Sequence, residues 1–111
     1  MSKLTKEQMH GMSDIQILRK LYELLGFEVH EYVFEEVITI RSGDKVTTAE
    51  LSPNDIMPLA FEYCIGFAPN KDSWEAFTLE DNYQVVQNQF VSANPLRALA
   101  CCLILVLQEK S

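Results

Sequence analysis

The pattern of apolar residues predicts an α+β fold: a small, mostly antiparallel sheet with three helices, in the order α-β-β-β-α-β-β-α. Three observations lead there. Two segments, near residues 14–25 and 54–64, repeat apolar side chains at the 3.6-residue period of a half-buried helix. Between and after them lie runs rich in β-branched and aromatic residues, punctuated by Ser, Gly, Asp and Asn. The last helix, residues 94–108 or "NPLRALACCLILVLQ", begins with capping residues and then runs apolar from 98 to 107 without a break.

Residues 1–12 are polar and weakly periodic, and read as a loose lead-in to a single domain over 13–111. Ser13 and Gln16 have the spacing of a capping box, in which each side chain serves the other residue's free backbone N–H. Behind them Ile17, Leu18, Leu21, Leu24 and Leu25 make one helical face, with Asp14, Arg19, Lys20 and Glu23 opposite. Gly26 supplies the left-handed residue that ends such helices. From residue 27 the run "FEVHEYVF" has strand character, which Glu35 and Glu36 either interrupt or turn. "VITIR" and "KVTTAEL" then flank Ser42-Gly43-Asp44, a hairpin turn by its chemistry. In the second arm Val46, Thr48 and Glu50 alternate with Thr47, Ala49 and Leu51, so one face is expected to be wet.

In "SPNDIMPLAFEYCIGFAP", Ser52 or Asn54 can cap a helix, and Pro58 is expected in its first turn, where a missing N–H costs little. Ile56, Leu59, Ala60, Tyr63 and Cys64 would then form the buried stripe, and Gly66 and Pro69 would end the helix. Strands are expected at 73–78 and 83–91 around a polar turn at 80–82, the second with imperfect alternation.

The closing helix has Asn94 as its cap and Pro95 at the first helical position. Its unbroken apolar stretch of ten residues is too short for a bilayer, which needs about 20. It also lacks the basic polar face of a membrane-surface helix. A helix apolar all round is normally buried. It is therefore expected to be central, with the sheet on one flank and the other helices, or a second subunit in a homodimer, on the other.

The chain has 111 residues, 48% of them apolar and 23% charged, the profile of one ordinary globular domain that needs neither metal nor disulfide. Sixteen acidic against nine basic residues give a net charge of −7. That balance opposes direct nucleic-acid binding, which needs clustered Lys and Arg. Cys64, Cys101 and Cys102 form an odd set without framework spacing, and residues 1–14 lack the apolar core of a secretory signal. Reduced thiols in the cytoplasm are the expectation, all three buried as small apolar side chains. Neighbouring cysteines on one helix point about 100° apart and do not pair easily.

Three segments, "SPNDIMPLAFEY", "SWEAF" and "NPLRALACCLILVLQEK", together resemble the NinX-type family of small lambdoid-phage proteins over about residues 52–110. The shared features are an Asn/Asp- and Pro-rich lead into a helix with a Met-Pro step, a Trp-x-Ala segment, and a closing Asn-Pro-Leu-Arg-Ala helix. The first half of the chain does not follow the family pattern. The resemblance implies a phage or prophage origin and an accessory role in the bacterial host cell. It implies no catalytic residue.

The residues themselves offer no catalytic constellation. Cys64 with His30 or His10 is the one thiol–imidazole combination, with nothing in the sequence to bring them together. The glycines are isolated, so there is no phosphate loop. Glu35 and Glu36 with Asp44 or Glu50 could hold a divalent ion, but a solvated turn is the better account of them. No metal and no cofactor is expected. Candidate interaction residues remain. Trp74, the sole tryptophan, is either a core anchor or a binding hot spot. Arg97 either reaches water from the helix start or pairs with a carboxylate such as Glu62 or Glu75. Glu31, Glu35 and Glu36, with Glu28, Asp44 and Glu50, form the densest acidic group.

Three functions follow as expectations. The first is a non-enzymatic accessory factor that binds a host or phage protein. The second is an acidic mimic of nucleic acid that inhibits a host defence or DNA-processing protein. The third is a small metabolite binder or enzyme.

Overall fold

The computed structural model describes residues 3–32, 37–79 and 86–110. It is α+β, as expected, but with four helices and two three-stranded antiparallel sheets in place of three helices and one sheet. In chain order these are α1 (Lys6–His10), α2 (Asp14–Leu24), β1 (Glu28–Tyr32), β2 (Val37–Ser42), β3 (Lys45–Ala49), α3 (Pro53–Glu62), β4 (Gly66–Asn70), β5 (Ser73–Leu79), β6 (Val86–Ser92) and α4 (Pro95–Lys110). The first sheet has the order β1-β2-β3 and the second β4-β5-β6.

The two sheets enclose the two long helices. α2 packs on β1 and β2 and also on α4, while α4 packs on α3 and on all three strands of the second sheet. The apolar run of α4 is covered accordingly: every side chain from residue 98 to 108 except the half-buried Leu105 is buried. The protein thus covers the all-round apolar helix by itself, and no second subunit is required for that burial. Among the described residues no helix is long and apolar enough to cross a membrane.

Local chemistry explains most of the element ends. The Ser13–Gln16 capping box forms with both bonds, at 2.8 and 3.2 Å. Gly26 takes φ +96°, and the Phe27 amide reaches back to the Tyr22 carbonyl, closing α2. Asn94 Oδ1 accepts the Leu96 amide at 2.9 Å at the start of α4. In the first sheet Ile38, Ile40 and Ala49 are buried, whereas Lys45, Val46, Thr47 and Thr48 lie exposed along the edge strand β3.

Four expectations are corrected. Residues 1–12 are not wholly a loose lead-in: Thr5 and Gln8 form a second capping box, α1 follows, and Met9 is fully buried. The α3 helix starts at Pro53, which leaves Pro58 beyond the first turn, where its ring removes one intrahelical bond. The same helix stops before Cys64, which adopts φ +56° while the Ile65 amide bonds to the Ala60 carbonyl. A non-glycine residue thus makes the left-handed stop, and its thiol faces solvent instead of joining the stripe. Finally, Gly66–Asn70 is a strand. Its glycine and proline read as breakers, but an edge strand tolerates a missing N–H.

The imperfect alternation before residue 91 also has a structural cause. Ala76 pairs with Phe90 and Thr78 with Gln87, so Asn88 and Gln89 together face one residue of β5. This is a β-bulge, with Asn88 at φ +55° and its side-chain amide bonded to Thr78 Oγ1 at 3.2 Å.

Candidate interaction surface

Arg97 is not part of an outward-facing site. Its side chain is only 14% exposed and holds the N-terminal segment against α4. Nη1 donates to Asp14 Oδ1 at 2.6 Å, and Nη2 donates to the Met9 carbonyl at 2.7 Å and to the Met12 carbonyl. Of the two alternatives for Arg97 the carboxylate pair is the one formed, with Asp14 in place of Glu62 or Glu75. Glu75 is engaged instead by Asn70 and Gln89. The guanidinium is well suited to this task, because its fixed fork of donors meets several acceptors at once. At the other end of α4, Gln108 Oε1 accepts the Leu4 amide at 2.8 Å and its Nε2 donates to the Leu4 carbonyl at 3.1 Å.

Trp74 lies in the hairpin of β4 and β5, whose turn places Lys71 at φ +57°. Pro69 is paired with Trp74, and Phe67 with Ala76 and thence Phe90, so all these residues share one sheet face. Ala76 and Phe90 are fully buried. Toward the hairpin turn the burial fails: Trp74 is half-buried, and Phe67 is 40% exposed, their rings packed at a centroid distance of 5.6 Å. Phe61, near the end of α3, is 71% exposed. It is six positions from Phe67 in the chain, so the two Cα atoms lie at most about 22 Å apart. Phe61 was not singled out in the sequence. The outward row Asn54, Pro58 and Phe61 at i, i+4 and i+7 was the signal available.

Of the acidic group, Glu28 pairs with Arg41 and Glu31 with Ile38 in the backbone register of β1 and β2, while Asp44 lies in the turn before β3 and Glu50 just after it. Glu28 sits 3.3 Å from the His30 imidazole on its own face. Glu35 and Glu36 lie outside the described residues. Among the described residues no three His, Cys, Asp or Glu side chains gather as metal ligands. Each imidazole is engaged away from Cys64, since His10 stacks on Phe90 with centroids 4.5 Å apart.

The thiols divide by environment. Burial pushes Cys101 up to about 12, with the Arg97 charge lowering it and Asp14 raising it by lesser amounts. Burial likewise pushes Cys102 up to about 12, with Cys101 adding to the rise and Lys6 opposing it. Because the thiolate is the nucleophile, a native titration with a disulfide reagent at pH 8 should consume one thiol rapidly, that of Cys64. All three should react after unfolding. Tyr22, also buried, is raised to about 12, first by desolvation and then by Asp55. Groups whose folded values are raised keep their stability contribution below the unfolded values and lose it as pH climbs through the folded ones. Stability should therefore fall between about pH 9 and pH 12, read by urea unfolding across that window.

No family model, curated protein or solved structure matches this chain. These comparisons do not bear on the resemblance to the NinX-type family.

Proposed function

We propose that the protein acts by binding another protein rather than by catalysis, as an accessory factor of phage or prophage origin in the cytoplasm of a bacterial host. The observation that carries the interaction part is the Phe67–Trp74 pair at the hairpin of β4 and β5, which extends a core face beyond its cover; Phe61, near the end of α3, is a second exposed aromatic side chain. Aromatic side chains half-buried on a rigid strand lose little conformational freedom on binding, which makes them effective anchors. The phage origin rests on the resemblance over about residues 52–110.

The test is recovery of partners from host and phage-infected lysates with the wild-type protein and with a Phe61→Ser/Phe67→Ser variant. The variant should keep the wild-type far-UV circular dichroism and a melting temperature within a few degrees. A partner recovered by the wild type and weakened about ten-fold or more in the variant supports the reading. Equal recovery by both proteins, or no specific partner with either, counts against it.

A further inference from the structure

We infer that residues 3–12 form a hinged strap that closes along α4 and opens as a unit while the two sheets stay folded. The strap runs the length of the helix. Leu4 is held by Gln108 near the helix end, and Met9 and Met12 by Arg97 near its start. Between those two clasps only Met9 is fully buried; Thr5, Lys6, Glu7 and Gln8 face solvent, and the exposed His10 stacks its ring on Phe90 of β6. Its internal bonds are its own: the Thr5–Gln8 capping box closes α1 locally, and the Ser13–Gln16 box starts α2 afresh. Gly11, Met12 and Ser13 join two helices that each retain their caps when the angle between them changes. The strap is also incompletely packed. An open groove of about 290 Å³ is lined by Leu4 and Met12 of the strap and by Gln16, Arg19, Lys20 and Glu23.

A segment with one fully buried side chain, two side-chain clasps and one ring stack belongs to the low-stability end of a fold, where local opening precedes global unfolding. Opening would uncover the Met9 site and remove the Leu4 and Met12 wall of the groove. This gives the protein a second, conditional apolar surface, separate from the aromatic group at the hairpin.

Native-state amide exchange on the full chain through a urea series tests this. The Leu4, Met9 and Met12 amides should exchange at least about 100-fold faster than those of Leu103 and Ile104, at rates insensitive to low urea. An Ile38→Val variant, in the first sheet, weakens the fold without touching the strap. It should speed α4 exchange about three- to ten-fold and leave the strap amides unchanged. A strap that shares the rate and urea slope of α4, or accelerates with it in Ile38→Val, is an integral part of the core, and the inference fails. Strap amides exchanging at unprotected rates would overturn it as well, since there would be no closed state.

Discussion

Replacing Arg97 with leucine should cost about 2–4 kcal/mol of stability, the larger part of it from atoms that are not acidic. The Met9 and Met12 carbonyls each lose a charged donor in a partly buried site, and a carbonyl left without its partner costs about 1–3 kcal/mol. Asp14 contributes less, because its side chain is 50% exposed and water can replace the guanidinium. Asp14→Asn should therefore lose about 1 kcal/mol or less. Arg97→Lys should recover only part of the loss, since a single ammonium cannot span the three acceptors with the same geometry. For a chain of this size the leucine variant should melt about 10–20 °C lower. Thermal unfolding of the three variants checks the ranking. An Asp14→Asn loss as large as that of Arg97→Leu would mean that the ion pair, rather than the two carbonyls, is what Arg97 supplies.

Leu103→Ala should cost about 3–5 kcal/mol, the upper part of the range for such truncations. Leu103 is fully buried in the middle of α4, with the second sheet, α2 and α3 packed around that helix. Walls on several sides cannot collapse together into the space the side chain leaves, so most of the cavity should persist. Leu105, two residues on but half-buried, provides the internal comparison, and Leu105→Ala should lose about 1 kcal/mol. Urea unfolding with an unchanged slope on denaturant measures both. Equal losses at the two positions would contradict the burial pattern described for α4.

Both predictions concern α4, yet its two ends differed in how far the sequence revealed them. The cap at Asn94, the proline at the first helical position and the burial of the apolar run follow from residue types and spacing. The same holds for α2, where a capping box and Gly26 bracket one helical turn after another. The sequence left Arg97 either reaching water or pairing with a carboxylate, and could not name its partner, because Asp14 lies 83 residues away. Gln108 and Leu4, 104 residues apart, show the same limit. Polar residues near a chain start read as unstructured when nothing local requires otherwise, and α1 is too short to display a period.

The aromatic group was half legible. Trp74 stood out as the sole tryptophan, but its place at the uncovered end of a core face depends on register with Phe67 and Pro69. Phe61 looked like one apolar residue among several, and its outward direction depends on which side of α3 meets α4. The acidic residues looked like a row because they are close in sequence, but the fold spreads them: Glu28 lies in β1, Asp44 in the turn between β2 and β3, and Glu50 beyond β3.

By itself, the sequence determined the α+β class, the long helices and their caps, the hairpin around Gly43, and the burial of the last helix. These depend on periodicity and on backbone preferences that act within a few residues. Only the tertiary structure decided that there are two sheets, that Gly66–Asn70 joins one of them, that Cys64 faces water, and that the N-terminal residues lie along α4. Those outcomes turn on which surfaces meet. A helix apolar on every side must be enclosed, but its own residues do not specify which segments of the chain will enclose it.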